Sequence, residues 1–221
     1  MRTKYFVLPL LLTIGACAEP AAKPAVEPRQ GSQEPSKEEP KKLTASEAQA
    51  VYEEGLAKFK EGDYGSSFGL WLKAAEAGSA DAAEKVGRSY NYGQGTEVDY
   101  RKSAEWYEKA AEMGSAEAMY QVGDCYARGK GVPEDEVKAF EWMQKAAEQN
   151  HPDGVYMLGV MYTMGRGTEP QRELGMELIR KAADLGQENA IKTVELYDML
   201  PQLMEQQRAA EEQAPSDTSD R

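Results

Sequence analysis

Histidine occurs once and cysteine twice in 221 residues. So few leave no cluster for a tetrahedral zinc site, no Cys–His dyad and no disulfide framework. Long apolar runs are also scarce. Tyr5–Ile14 stands out, but ten residues fall short of the roughly 20 that a bilayer-spanning helix needs. Basic residues are the minority, 26 Lys+Arg against 38 Asp+Glu. Without residues 1–16, which hold Arg2 and Lys4, 24 basic side chains face 38 acidic ones, a formal charge of −14. That balance excludes the nucleic-acid binders, whose phosphate contacts need a basic surface.

The N-terminus has a pattern of its own. Two cations within Met1–Lys4, the short apolar run and the small residues after it read as an export signal over residues 1–16. Small residues at Ala18–Ala22 offer other cleavage points, which would leave Cys17 an ordinary signal-peptide cysteine. Ile14-Gly15-Ala16-Cys17 places an aliphatic and two small residues before a cysteine, and it resembles the bacterial lipobox. The resemblance implies cleavage before Cys17, a diacylglyceryl thioether on its sulfur and acylation of the new amine. One acyl chain is a marginal anchor at about 0.8 kcal/mol per buried CH₂, whereas three hold firmly. In such lipoproteins Asp after the cysteine causes retention at the inner membrane. Here Ala18 and Glu19 follow, which implies an outer-membrane lipoprotein facing the periplasm.

Beyond Cys17, residues 18–42 contain Pro20, Pro24, Pro28, Pro35 and Pro40 and almost no large apolar side chain. No core forms from such a composition. We expect residues 17–42 to be a lipidated cysteine and an extended tether, reaching at most about 75 Å at roughly 3 Å per residue.

A period of 36 residues then governs the chain. Rows beginning at Ser79, Ser115 and His151 align without gaps. Position nine is Gly87, Gly123 and Gly159, and position twelve is Tyr90, Tyr126 and Tyr162. Positions fifteen and seventeen are Gly93/Gly95, Gly129/Gly131 and Gly165/Gly167, and positions thirty-one to thirty-three are Lys-Ala-Ala throughout. Apolar or small residues at positions four, five, eight, nine and twelve mark one face of a helix, and a second set from position twenty-five marks another. In the first row this spacing predicts helices over 80–92 and 100–113. The paired glycines supply positive φ at the joint. Asp99 and Asp135 stand where an N-cap is wanted. Row ends are Gly78, Gly114, Asn150 and Gly186, Asn being the common substitute for Gly in a left-handed C-cap. Mid-helix glycine at position nine suggests close helix approach, with the Trp of position twenty-eight and the Tyr of position twelve filling the space.

The strings Val122-Gly123-Asp124-Cys125-Tyr126-Ala127-Arg128-Gly129-Lys130-Gly131-Val132-Pro133 and Ala139-Phe140-Glu141-Trp142-Met143-Gln144-Lys145-Ala146-Ala147-Glu148 resemble the Sel1-like repeat, a relative of the tetratricopeptide repeat. The likeness covers 79–186 as three repeats. Residues 43–78 form a looser unit closer to a tetratricopeptide repeat. The third row departs from the pattern, with Leu178 for Trp and Gln171 for Asp. The expected fold is all-α, a right-handed α-solenoid of stacked helix-turn-helix repeats. Residues 187–213 are expected to cap it as two helices broken at Pro201, the second polar outside, and residues 214–221 read as a disordered tail.

Chemistry-bearing residues are sparse. His151 reads as a helix-start residue, with no nucleophile beside it. Cys125 reads as a small buried thiol, unlike the disulfide-bearing Sel1-like proteins linked to penicillin binding. Glu134-Asp135-Glu136 suits a helix start as well as a weak calcium ligand, and Gly129-Lys130-Gly131 lacks the spacing of a phosphate loop. The tyrosines Tyr92, Tyr120 and Tyr156, with Arg128, are the candidate contacts for a partner on the solenoid's inner curve.

By resemblance, then, the chain is a non-catalytic scaffold that binds an unidentified envelope protein along a concave face. No cofactor and no nucleic acid enter this reading. A helper in polysaccharide export or cell-wall assembly is the second reading, and it requires Arg88, Arg128, Lys130 and Arg166 to gather on one face. An envelope enzyme of penicillin-binding type is the third.

Overall fold

The structure, a computed structural model, describes residues 43–213. The export signal, Cys17, the tether and the 214–221 tail lie outside the described residues. Within them the chain is helical throughout, with no strand. Four hairpins follow one another: α1 (Ala45–Lys60) with α2 (Tyr64–Glu76), α3 (Ala80–Tyr92) with α4 (Tyr100–Glu112), α5 (Ala116–Arg128) with α6 (Glu136–Glu148), and α7 (Pro152–Met164) with α8 (Arg172–Asp184). A last helix, α9 (Glu188–Gln213), closes the series. Each helix packs on the ones before and after it in sequence, the arrangement of an α-solenoid.

Local signals fix the helix ends. Asp63, Asp99 and Asp135 accept backbone N–H bonds at the starts of α2, α4 and α6, and Ser79 and Ser115 do so for α3 and α5. Each such cap contributes about 1 kcal/mol. Gln171, which departs from the Asp pattern, makes no side-chain cap on α8. At the row ends Asn150 is the only non-glycine with positive φ among the described residues, at 55°.

The core is built from small residues. Ala74, Ala110, Ala146 and Ala182 stand at position thirty-two of successive units and are fully buried, which lets the backbones approach closely. The position-nine glycines face a different partner from the one expected. A Cβ on Gly87 would meet the ring of Tyr107 at 2.8 Å, and one on Gly123 would meet Met143 at 2.8 Å. Both partners occupy position twenty-nine, as does Ile179 opposite Gly159. Trp106 and Trp142, one residue earlier, are only half-buried and lie beneath Lys109 and Lys145, whose Nζ atoms sit 3.9 and 3.7 Å from the ring centres. Each indole packs against the core on one side and lies under an ammonium on the other, an amphipathic boundary contact rather than the glycine's space-filler.

The looser first unit has a simple geometry. Its joint spans residues 61–63, where the next unit uses residues 93–99. With that shortening Gly55 becomes the position-nine glycine and packs on Trp71 as Gly87 packs on Tyr107.

At the other end, α9 runs unbroken through Pro201. Proline removes one N–H and so frees the carbonyl four residues back. Tyr197 and its neighbours are exposed, so solvent can take that carbonyl and the helix need not stop. Nor is this helix polar outside, since Leu196, Met199, Leu200, Leu203 and Met204 are all exposed.

Candidate functional site

The first helix of each hairpin turns positions four, five, eight, nine and twelve toward its partner. Positions three, six, seven, ten and fourteen are left on the opposite face. In α3 these are Asp81, Glu84, Lys85, Arg88 and Tyr92; in α5, Glu117, Tyr120, Gln121, Asp124 and Arg128; in α7, Asp153, Tyr156, Met157, Val160 and Met164. Tyr92 and Arg128 therefore share position fourteen with Met164, and Tyr120 and Tyr156 share position six. The four candidate contacts lie on one face, as two rows rather than one.

Their surroundings differ. Tyr92 is 63% exposed, with the Arg88 guanidinium 6.0 Å from its ring centre. Arg128 is exposed but engaged, its Nε donating to Asp124 Oδ1 at 2.6 Å. Tyr156 is partly buried against the α7–α8 core. Tyr120 stacks on His151, ring centres 5.4 Å apart. Burial, and then the carboxylates of Asp124, Asp153 and Glu117, push its hydroxyl up to about 12. Glu84 occupies position six of α3, where the later rows carry tyrosine. It is buried and bound to Lys85 at 2.7 Å.

His151 knits two repeats together. Its Nδ1 accepts the Gly154 backbone N–H at 3.2 Å and caps α7, while Nε2 lies 3.0 Å from Glu117 Oε2 on α5. Gln187 repeats the device one unit later: its Oε1 accepts from the Ala190 N–H at 2.6 Å and its Nε2 donates to Asp153 at 3.1 Å. The sequence marks this link only by a long polar side chain at position one, where the earlier rows have Ser. The His151 hydrogen bond holds the Glu117 carboxyl below its usual range. A depressed carboxylate stabilises the fold above the usual carboxylate range and loses that contribution as pH falls through the lowered value. Urea unfolding midpoints should accordingly drop below about pH 4, and the drop should be smaller in Glu117→Gln. Identical profiles for the two proteins would show that the link carries no stability.

Among the described residues neither Cys125 nor His151 is set up for chemistry. Burial, and then Asp124, push the Cys125 thiol up to about 11, the reverse of an activated thiolate. Both His151 nitrogens are engaged in structural bonds. Asp135 caps α6, and Glu136 receives Arg166 Nε at 2.8 Å, so two of the three acidic residues are occupied by helix-start and inter-repeat contacts. Among the described residues no three His, Cys, Asp or Glu side chains converge as a metal site would. Each of the four cations already has a partner. Arg128 and Arg166 are ion-paired, Lys130 lies over Tyr100 and Arg88 over Tyr92.

Comparison with known proteins sets this geometry in a family. The Sel1 repeat model matches residues 48–79, 80–115, 116–151 and 152–187, well over half of the chain. The chain belongs to the Sel1 repeat family. The match to 48–79 agrees with the shortened first unit. Among solved structures, a protective antigen of uropathogenic Escherichia coli with an SLR fold is 34% identical at a TM-score of 0.64, over 70% of this chain and 33% of its own. A Sel1 repeat protein of Oxalobacter formigenes is 29% identical at 0.62, over 66% of this chain and 60% of its own. An immunity protein of Pseudomonas aeruginosa is 25% identical at 0.52, over 69% and 59%. The chain thus spans about a third of the first relative and about three fifths of the other two. Among curated proteins none matches it significantly.

Proposed function

We propose that this Sel1 repeat protein is a non-catalytic scaffold, held at the bacterial envelope by lipid on Cys17, that grips a partner protein along the first-helix face. Sel1 repeats generally serve as protein-interaction scaffolds. The observation that carries the reading for this chain is the first-helix face of α3, α5 and α7, whose position-fourteen side chains Tyr92, Arg128 and Met164 are all exposed. It presents aromatic and sulfur side chains beside paired charges, with Tyr92 63% and Met164 68% exposed. Large amphipathic side chains of this kind dominate the energetics of protein interfaces. The proposed lipid anchor would confine the face to one membrane and raise the effective concentration of whatever it holds. The polysaccharide reading loses support because Asp124 neutralises Arg128 and Glu136 neutralises Arg166, which leaves only two of the four cations without an ion pair among the described residues.

Fractionation of cells expressing the intact protein and Cys17→Ala tests the anchor. The intact chain should sediment with membranes, and the variant should be soluble with an unchanged helical circular dichroism spectrum. A variant that still sediments with membranes would remove the lipid from this account.

A further inference from the structure

Where α1, α2 and α3 meet, a cavity of about 120 Å³ opens, lined by Leu56, Phe59, Trp71, Lys85, Arg88 and Gln94. Its size decides what class of ligand it takes. Small-molecule sites run to about 300–1,000 Å³, so this one holds a single side chain. Its walls decide the chemistry. Trp71 is 3% exposed and tilts against Phe59, ring centres 5.4 Å apart, and Leu56 adds an aliphatic side. That interior is apolar apart from the Trp71 Nε1–H, a buried donor without a partner among the described residues. Two cations stand beside it, but they are not equivalent. Lys85 is held by the buried Glu84 at 2.7 Å. Arg88 forms no ion pair among the described residues and leans on the exposed Tyr92 ring, which leaves its guanidinium donors for an incoming carboxylate.

We propose that this cavity docks an internal segment of a partner protein in which an apolar side chain lies next to an aspartate or glutamate. The apolar group fills the space over Trp71 and the carboxylate pairs with Arg88. Charge complementarity carries the assignment: in an acidic chain, the Arg88 guanidinium stands without an ion pair among the described residues and borders an apolar hole, so one carboxylate is matched here. A polyanion is disfavoured by the surrounding negative field. The first-helix face continues from Arg88 and Tyr92 on α3 to the exposed Arg128 on α5 and Met164 on α7, so an internal acidic side chain suits the site better than a chain end. The inference rests on the scaffold reading and sharpens it.

Selection from a phage library tests it, with random peptides displayed ahead of the coat protein so that no peptide carboxyl terminus is free. The bait is the full chain in detergent. Enriched peptides should carry an apolar residue within two positions of Asp or Glu. Arg88→Ala should weaken them about tenfold or more, as expected for losing a charge-assisted hydrogen bond. Arg88→Glu should abolish their binding and restore it when the acidic residue is changed to Lys. Arg172→Ala, at the start of α8, should change nothing. No enrichment, peptides without an acidic residue, or binding indifferent to Arg88 would each overturn the proposal. Peptides that respond to Tyr156→Ala and not to Arg88→Ala would overturn it while leaving the scaffold standing. A companion library with free carboxyl termini that alone gives Arg88-dependent binders would replace the internal segment with a chain end.

Discussion

Gly131→Ala should lower the melting temperature by about 6–12 °C, and Gly114→Ala by about half of that or less. Both glycines have positive φ, 80° and 96°, where an L side chain costs about 1–2 kcal/mol. Only Gly131 is also crowded. A Cβ there would run into the carbonyl of Tyr100, the first residue of α4 in the preceding repeat, whereas nothing lies within 4 Å of one at Gly114. Gly95 meets Tyr64 and Gly167 meets Glu136 in the same way, so the second joint glycine is where each repeat rests on the last. Because the obstacle is backbone, no rotamer relieves it, and overpacking adds about 1–3 kcal/mol. For a domain of this size each kcal/mol is worth about 2–4 °C. Thermal melts followed by circular dichroism measure the difference. Equal losses at the two positions would mean that the glycine serves its own turn and not the stacking of repeats.

Tyr107→Ala should cost about 3–5 kcal/mol, the usual loss for truncating a large buried ring. The ring is 2% exposed, and burial together with Glu84 raises its hydroxyl well above the ordinary tyrosine range. Trp106→Ala should cost about 1–2 kcal/mol, since the indole is half-buried and a partly covered side chain forfeits only part of its transfer energy. A double-mutant cycle sharpens the comparison. Alone, Gly87→Ala should destabilise, because its Cβ strikes the Tyr107 ring at 2.8 Å, although alanine is the better helix former by about 1 kcal/mol. With Tyr107→Ala the obstacle is gone and Gly87→Ala should stabilise. Denaturant titrations of the four proteins give the coupling. Additive effects would place Gly87 and Tyr107 out of contact.

Most of the solenoid was legible because each local signal had one cheap interpretation. Glycine at the joint, aspartate or serine at a helix start and asparagine at a row end all report backbone requirements that act within a few residues. The helices of the first row follow the expected bounds to within one residue. What was not legible depended on contacts between helices. Tryptophan at position twenty-eight looked like the space-filler because it is large, yet a 100° turn to position twenty-nine decides which side chain faces glycine. The first unit hid its register behind a shortened joint, so Gly55 stood four places from where the 36-residue rows look for it. Pro201 reads as a break from local geometry, and only the exposure of the surrounding helix explains why it is tolerated. For the candidate face, the sequence offered Tyr92, Tyr120, Tyr156 and Arg128 one by one. The rows do show Glu84 where the later repeats have tyrosine, and the i,i+4 spacing of Asp124 and Arg128 suits an ion pair. They gave no sign that Glu84 is buried against Lys85 or that His151 bridges α5 and α7.

Photocrosslinking in living cells tests the account most directly. A photoreactive residue is placed in turn at Tyr92, Tyr120 and Tyr156 on the first-helix face, and at Glu105, Glu141 and Glu177, exposed on the second helices. The account predicts that the three tyrosine positions crosslink to one common protein and the three glutamate positions do not. Crosslinks confined to the glutamate positions, or equal from both faces, would contradict it.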